Sequence, residues 1–366
     1  MKVLFLTNVP SPYRVDFFNA LGRLCDLTVL FETKSAKSRD AAWIADKIEN
    51  FKAIYLKGIR IGEAESFSVE VLKYLSNKKY DIIVVGLYSS PTGMLAIEYM
   101  KTRKIPFVLS SDGGLIKNDT GVKKYIKSRY IGAASAWLST GKATTEYLCY
   151  YGALEEKTYI YPFTSVLEKD VLKEKISFEE REKIRKKLDV QEEIVALSVG
   201  QFIYRKGYDL LLKAWKNVNK NIGLYIVGGI PTGEYASLKS ELGLANVHFV
   251  NFMPKKELAD YYKAADVFIL PTREDIWGLV INEACAYGLP IITTDKCVAG
   301  TEVVEQGKTG YVVKLEEIAK INQYISMALD LDHNDILETA KKYTLENMAG
   351  SHLDIFKMIL KNRGEK

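Results

Sequence analysis

The chain has 366 residues, 48% of them apolar, and a formal net charge of +5. Its length exceeds that of one ordinary domain and predicts two, each able to bury a core. No stretch approaches the roughly 18 to 20 consecutive apolar residues of a membrane span, and the opening MKVLFLTN has the pattern of a strand, unlike a signal peptide. We therefore expect a cytoplasmic protein.

Strand-like and helix-like segments alternate through the first half of the chain. The predicted strands cover residues 3–6, 27–31, 53–56, 82–85, 107–109 and 136–138. The predicted helices between them include residues 13–24, 66–76, 93–102 and 143–150. Such alternation is typical of a parallel sheet covered by helices on both faces.

A charged run over 168–191 interrupts this rhythm and predicts an interdomain connection that leads into a surface helix. A second alternation follows, with strands predicted at residues 194–199, 224–227, 247–249, 267–270 and 291–293. Beyond residue 313 the pattern is helical. We expect an N-terminal domain over 1–167 and a C-terminal domain over 168–366, with the last helix, at about 347–362, packing back on the N-terminal domain.

The most informative stretch is 271–288, PTREDIWGLVINEACAYG, which joins a buried strand to a helix. Gly278 allows a tight turn into that helix, whose first backbone N–H groups favour an anion such as a diphosphate. Asp275 and Glu283 lie eight residues apart across the helix start, and their carboxylates can accept hydrogen bonds from sugar and ribose hydroxyls. The alternative is a solvated helix with a capping acid.

A second loop of this type follows the strand that ends at Gly200. Arg205 and Lys206 precede Gly207 and the next helix, and both cations could neutralise a departing nucleoside diphosphate without a metal. Alone, such a motif is also typical of a protein surface. Further glycine-containing strand exits at 227–231 and 295–302 would lie at the same sheet edge, which favours a ligand site there.

Metal-binding and disulfide patterns are weak in this sequence. The cysteines lack CxxC spacing, so we expect them to be reduced and mostly buried; they are Cys25, Cys149, Cys285 and Cys297. The histidines, His248, His333 and His352, are scattered. Asp330 and Asp332 form a carboxylate pair of the kind that can hold a metal, but their place after a helix favours a solvated helix end.

Positive charge is concentrated in the N-terminal half. Residues 1–169 contain 24 Lys and Arg against 17 Asp and Glu, and the excess is densest over 101–142. Within it, the segment 117–131 combines lysines with tyrosine and isoleucine, a composition suited to an anionic membrane surface. A solvated helix with its apolar stripe in the core explains the pattern equally well. Nucleic acid is a weaker candidate because no recognised binding motif accompanies the charge.

Three consecutive blocks between about 195 and 313 carry a family resemblance: VGQFIYRKGYDLLLKAW, NFMPKKELADYYKAADVFILPTREDIWGLVINEACAYGLPIITT and AGTEVVEQGKTGYVV. They resemble the retaining glycosyltransferases of family 4, the glycosyl transferases group 1. The resemblance implies the α/β GT-B fold, in which two Rossmann-like, doubly wound parallel-sheet domains face a cleft.

The resemblance also implies roles for individual residues. Asp275 would contact the hydroxyls of the donor sugar, Glu283 the ribose, and Lys206 the diphosphate. Gln201 stands where the family has an arginine, so we expect Arg205 to compensate. The candidate donor-binding residues are Glu283, Gly278, Leu279, Trp277, Gln201, Gly200, Gly228, Met253 and Arg14.

The N-terminal half matches the family more loosely. NVPSPYR replaces the usual glycine pair after the first strand, and its Arg14 either meets a phosphate or has a structural role on an exposed helix face. In SSDGG, where relatives have a His-Asp-like pair, Asp112 either positions or deprotonates the acceptor hydroxyl, or caps the loop. We count Asp112 with Asp275, Lys206 and Arg205 as candidate catalytic residues.

The function implied is a retaining, metal-independent transfer of a sugar from a nucleotide donor, UDP-linked in preference to GDP-linked, to a glycan or lipid-linked acceptor. We expect no cofactor, front-side displacement, and a place in surface polysaccharide assembly. Alternatives are a GT-B sugar-nucleotide epimerase and a non-catalytic glycan-binding protein. A nicotinamide oxidoreductase is disfavoured because no GxGxxG follows either first strand.

Overall fold

The computed structural model describes residues 1–35, 47–116 and 119–364. Its contacts divide the chain into two compact units. Unit 1 consists of residues 1–167 and 343–366, and unit 2 of residues 168–342. Lys117, the first residue of the predicted basic surface, lies outside the described residues.

Unit 1 is built on a seven-stranded parallel sheet in the order β3-β2-β1-β6-β7-β8-β9. The short strands β4 and β5 form a separate antiparallel pair. The strands are β1 (Lys2–Thr7), β2 (Asp26–Phe31), β3 (Lys52–Tyr55), β4 (Ile59–Arg60), β5 (Ser66–Phe67), β6 (Ile82–Val85), β7 (Val108–Ser110), β8 (Ala136–Ser139) and β9 (Thr158–Ile160). The helices are α1 (Pro12–Gly22), α2 (Pro91–Thr102), α3 (Gly121–Ile131) and α4 (Lys142–Tyr150).

Unit 2 repeats this plan with a six-stranded parallel sheet in the order β12-β11-β10-β13-β14-β15. Its strands are β10 (Ile194–Val199), β11 (Ile222–Val227), β12 (Val247–Val250), β13 (Val267–Leu270), β14 (Ile291–Thr294) and β15 (Gly310–Val313). Its helices are α5 (Phe178–Lys187), α6 (Tyr208–Trp215), α7 (Gly233–Glu241), α8 (Lys255–Ala264), α9 (Leu279–Ala286), α10 (Val298–Val303), α11 (Ile321–Leu329) and α12 (His333–Lys342). The predicted α/β class with two parallel sheets is confirmed.

The central strands form where the sequence has continuous apolar runs. In β6, all four residues of IIVV are buried, and in β13 all four of VFIL are. Both faces of these strands are buried, which is why the runs are apolar throughout and do not alternate with polar residues.

The helix predicted over 66–76 is wrong. Strand β5 and a 3₁₀ helix, Val69–Lys73, occupy this segment. Buried side chains take the backbone groups that a helix would need: the Glu32 carboxylate accepts from Ser66 N at 3.0 Å, and Thr92 Oγ1 donates to Ser66 O at 2.5 Å. Tertiary hydrogen bonds therefore override the local helical pattern.

The last helix, α13 (Leu345–Gly364), packs against α1 in unit 1, as the sequence predicts. Its buried His352 lies 4.7 Å from the Phe17 ring and 4.3 Å from the Tyr161 ring, measured between centroids. His352 Nδ1 is 2.8 Å from Met348 O. These contacts join the C-terminal helix to the apolar interior of unit 1.

Acidification should weaken unit 1 through His352. Burial lowers the pKa of His352 from 6.5 to about 4, so the folded state disfavours the charged imidazole. The contribution of His352 to the free energy of unfolding is fully present above pH 6.5. It is lost as the pH drops toward 4, and the loss reaches up to about 3 kcal/mol. Urea denaturation at pH 7.5 and 5.0 should show a larger loss for the wild type than for His352→Phe. A stability difference between the two proteins that does not change with pH would contradict this.

Candidate active site

The order of the unit 2 sheet reverses between β10 and β13. The chain winds outward from β10 through β11 to β12, and in the other direction from β13 through β14 to β15. In open parallel sheets, a crevice for ligands forms at such a switch point, beyond the carboxyl ends of the strands. The loops that leave β10 and β13 therefore lie side by side, and they carry Arg205, Lys206 and Asp275.

These three side chains form one ionic cluster. Lys206 Nζ lies 2.6 Å from Asp275 Oδ2, and Arg205 Nη1 lies 3.3 Å from Asp275 Oδ1. The side chains of Lys206 and Asp275 are only 11% and 13% exposed, whereas that of Arg205 is 44% exposed. The cluster has one more positive than negative charge, which suits an anionic ligand at this edge of the sheet.

Close backbone contacts hold the two loops together. Arg205 O accepts hydrogen bonds from Arg273 N at 2.8 Å and from Thr272 Oγ1 at 2.9 Å. Gly207 has φ +71°, and a Cβ atom there would lie 2.0 Å from Pro271 O. Only glycine permits both this conformation and this approach.

Asp275 is fixed from its other side by the exit of β14. Asp275 N donates to Lys296 O at 2.9 Å, and Asp275 O accepts from Val298 N at 3.1 Å. The backbone of Asp275 is therefore tied to the neighbouring loop while its carboxylate faces Lys206. This arrangement fixes the position of the carboxylate relative to Lys206.

Glu283 lies on α9, which begins directly after Gly278. A Cβ atom on Gly278 would lie 2.7 Å from Cys297 Sγ, so the helix can start this close to the β14 exit only with glycine. The half-buried Glu283 carboxylate accepts a hydrogen bond from Tyr262 Oη at 3.0 Å. Sequence reasoning missed Tyr262, because it lies on another helix at no characteristic spacing from Glu283.

The other predicted donor-binding residues of unit 2 occupy different environments. Gly200 and Gly228 lie in contact, since a Cβ on Gly228 would come within 1.7 Å of Gly200 O. Trp277 is buried, and its indole N–H donates to Asn282 Oδ1 at 2.9 Å. Of the remaining positions, Gln201 is exposed, Met253 and Leu279 are half-buried, and Gly278 is buried.

In unit 1, Arg14 and Asp112 form an ion pair between Nη2 and Oδ2. Arg14 is buried, so it does not lie on an exposed helix face. Asp112 Oδ1 and Tyr161 Oη are both buried and, among the described residues, neither has a hydrogen-bond partner. Burial and, next, the charge of Asp112 raise the pKa of Tyr161 above its usual range, which keeps the phenol protonated.

Helix α3 exposes apolar side chains beside its lysines. Val122 is 74% and Tyr125 63% exposed, so their apolar surface does not lie in the core. Asp119, just before the helix, accepts from Lys127 Nζ and from Tyr151 Oη, each at 2.6 Å. These bonds fix the start of α3 on unit 1. Within the described residues, no helix is long and apolar enough to cross a bilayer.

Comparison with known proteins identifies the class of enzyme. Residues 180–344 match the family model of the glycosyl transferases group 1. A Klebsiella pneumoniae protein named "uncharacterized 41.2 kDa protein in cps region" is 27% identical over 319 residues, 82% of this chain and 85% of its own length. The lipopolysaccharide glucosyltransferase WaaG of Escherichia coli is 32% identical over 123 residues, 32% of each chain. Anabaena Alr3699/HepE, solved in complex with UDP, superimposes with a TM-score of 0.74 at 16% identity over the whole of both chains.

The chain is a glycosyltransferase with the GT-B fold. The family match covers the segment that contains the ionic cluster and Glu283. The group 1 match therefore lies almost entirely in unit 2, and it includes the loops and helix beyond the carboxyl ends of β10 and β13.

Replacing Gly207 should damage the transferase more than replacing another left-handed glycine. Gly207→Ala places a methyl group against Pro271 O, whereas Gly243, with φ +62°, has open space around its Cβ position. Both variants suffer the left-handed strain of about 1–2 kcal/mol, so thermal unfolding should show a clearly larger loss of stability for Gly207→Ala. Equal losses in the two variants would contradict the close contact between the loops.

Proposed function

We propose that this chain is a retaining, metal-independent glycosyltransferase of family 4. It would move a sugar from a nucleotide donor, UDP-linked in preference to GDP-linked, to a glycan or lipid-linked acceptor in surface polysaccharide assembly. The observation that carries this proposal is the cluster of Asp275, Lys206 and Arg205 at the switch point of the unit 2 sheet.

The cluster supports binding and departure of a diphosphate. In this proposal the donor diphosphate replaces Asp275 as the anionic partner of Lys206 and Arg205. Lys206 supplies a compact charge and Arg205 a planar set of donors, which together stabilise the negative charge that develops on the leaving group. The two side chains thereby perform the charge neutralisation that a metal performs in other transferases.

The same cluster supports front-side displacement. A carboxylate held by a lysine and an arginine is a poor nucleophile, so Asp275 does not suit attack on the anomeric carbon. Instead, the acceptor oxygen bonds to that carbon as the carbon–phosphate oxygen bond breaks on the same face. The acceptor proton passes to the departing phosphate oxygen, and the anomeric configuration is retained.

On the acceptor side, the ion pair supports a positioning role for Asp112. Arg14 pairs with Asp112 Oδ2 and holds the carboxylate in a fixed orientation. Its buried Oδ1 could accept from a substrate hydroxyl. We therefore favour positioning of the acceptor hydroxyl over its deprotonation.

The proposed pathway and donor rest on the relatives. WaaG acts on lipopolysaccharide by its name, and the Klebsiella relative comes from a cps region. The HepE structure holds UDP, in line with a uridine donor.

Exchanging Asp275 for asparagine should separate donor binding from catalysis. Asp275→Asn removes a negative charge that competes with the diphosphate for Lys206, so affinity for free UDP or GDP should rise severalfold, about 1 kcal/mol. Turnover of the nucleotide sugar should fall about a hundredfold or more. The reason is that the donor sugar loses a charged hydrogen-bond acceptor for its hydroxyls, and the two cations lose the carboxylate that positions them. Calorimetric titration and release of nucleoside diphosphate measure the two effects.

Asp335→Asn is the matched control, since it makes the same charge change on an exposed side chain of α12, outside the strand exits. It should leave both quantities unchanged. Unaltered turnover in Asp275→Asn would disprove the proposed role of Asp275 at the donor site. Conversion of a nucleotide sugar to its epimer without acceptor would instead favour the epimerase alternative.

We also propose peripheral contact between segment 117–131 and an anionic membrane, which would place the enzyme at the inner face of the cell membrane. The exposed Val122 and Tyr125 beside lysines support it, because an interfacial helix combines apolar insertion with attraction to anionic lipid.

Vesicle sedimentation tests this contact. The wild type should bind phosphatidylglycerol vesicles more strongly than phosphatidylcholine vesicles, and added salt should weaken binding. Val122→Ser with Tyr125→Ser should reduce binding about tenfold or more. Phe178→Ser, which removes a comparably exposed apolar side chain from α5 of unit 2, should have no effect. Equal binding by the double variant and the wild type would exclude α3 as the contact.

A further inference from the structure

Tyr262 and Glu283 connect two helices of unit 2. Tyr262 lies on α8 and Glu283 on α9, and the Tyr262 Oη donates to Glu283 Oε2 at 3.0 Å. Tyr262 is 2% exposed, whereas Glu283 is half-buried. A buried phenol therefore holds a carboxylate that is itself within reach of solvent.

Packing fixes the Tyr262 ring independently of this hydrogen bond. The ring stacks on Tyr287 with centroids 5.1 Å apart and an interplanar angle of 3°, and it lies 6.0 Å from the Phe268 ring of β13. Tyr287 directly follows α9, the helix that carries Glu283. The direction of the Tyr262 hydroxyl is thus determined by the same helix and strand that place Glu283.

A neutral phenol donor affects a carboxylate differently from a cation. It restrains rotation of the carboxylate about its terminal bond, leaves the negative charge in place, and uses one of about four acceptor sites. Burial and, next, the charge of Glu283 raise the pKa of Tyr262 well above its usual range, so the phenol remains a donor at all physiological pH values.

We propose that Tyr262 is a positioning residue that orients the Glu283 carboxylate toward the hydroxyls of the nucleotide ribose. The inference rests on the proposed function, in which Glu283 contacts the ribose. It adds a source of selectivity for ribonucleotides. A carboxylate that is already oriented binds a ribose hydroxyl more tightly than a freely rotating one, because less conformational entropy is lost on binding.

The ratio of ribonucleotide to deoxyribonucleotide affinity tests this role. Dissociation constants are measured by calorimetry for UDP, 2′-deoxy-UDP and 3′-deoxy-UDP, and for the guanine forms if GDP binds better. The wild type should prefer the ribonucleotide. Tyr262→Phe should reduce that preference about fivefold by weakening ribonucleotide binding alone, the effect expected from one hydrogen bond.

Two control variants test whether the change in ribose preference comes from the Tyr262–Glu283 hydrogen bond. Tyr287→Phe removes the hydroxyl of the stacked ring but keeps the Tyr262–Glu283 hydrogen bond, so its ribose preference should match that of the wild type. In a Glu283→Ala background, adding Tyr262→Phe should produce no further change. The melting temperature of each variant shows whether the fold is intact.

The outcomes separate the inference from the proposed function. A wild type that binds no nucleoside diphosphate refutes the proposed function, and with it the premise of the inference. A wild type that prefers ribonucleotides, with an unchanged preference in Tyr262→Phe, overturns the inference alone. So does an equal loss of affinity for ribo and deoxy forms, because a purely structural role would weaken both.

A second variant keeps the test available if Tyr262→Phe does not fold. In Glu283→Gln, the Tyr262 phenol should hold the amide oxygen and turn the NH2 group toward the ligand. Ribose preference should then fall below that of the wild type, because an NH2 group cannot accept the hydrogen bond that a ribose hydroxyl donates. A preference equal to that of the wild type would show that Tyr262 does not determine which group faces the ligand, which overturns the positioning role.

Discussion

The ion pair between Lys206 and Asp275 is the interaction on which the unit 2 site depends. Both side chains are largely withdrawn from solvent, and removing two charges from water costs about as much as their attraction returns. Such a pair contributes little net stability. Its place on two loops at a sheet switch point fits the anion-binding role that we propose for the two cations.

This pair exists because two strand exits are forced close together. β10 and β13 are hydrogen-bonded neighbours, and the approach of Gly207 to Pro271 O leaves no room for a side chain between their loops. Residues 69 positions apart in the sequence are thereby placed at hydrogen-bond distance. Sheet topology provides the proximity, and glycine permits the final contact, so the charges themselves need not hold the loops together.

Many elements of this fold could be predicted from short stretches of the sequence. Runs such as IIVV and VFIL predict buried parallel strands, because both faces of each strand must be apolar. Segment 66–76 shows where this reasoning fails, since its hydrogen bonds go to Glu32 and Thr92, which are distant in the chain. Local pattern describes the segment itself and contains no information about a buried partner.

The candidate site divides in the same way. Asp275 and Lys206 could be picked out as candidates from motifs because each lies on the segment that joins a strand to the next helix, at the sheet edge where parallel sheets bind ligands. Tyr262 could not, because its contribution depends on stacking against Tyr287 and on the approach of two helices. The Arg14–Asp112 pair joins residues 98 positions apart and was likewise invisible to spacing. The side chains that contact the candidate ligand-binding groups from distant parts of the chain could not be predicted from the sequence.

The two carboxylates of unit 2 are consequently suited to different tasks. Asp275 is held by cations, and a diphosphate can compete for those cations because it carries the same kind of charge more densely. Glu283 is held by a neutral phenol, which has no comparable affinity for a phosphate and would keep its bond when a donor binds. A carboxylate with exchangeable partners suits the part of the site where charge changes during reaction. A carboxylate with a permanent neutral partner suits the part that recognises uncharged hydroxyls and must not move while the bond to the leaving group breaks.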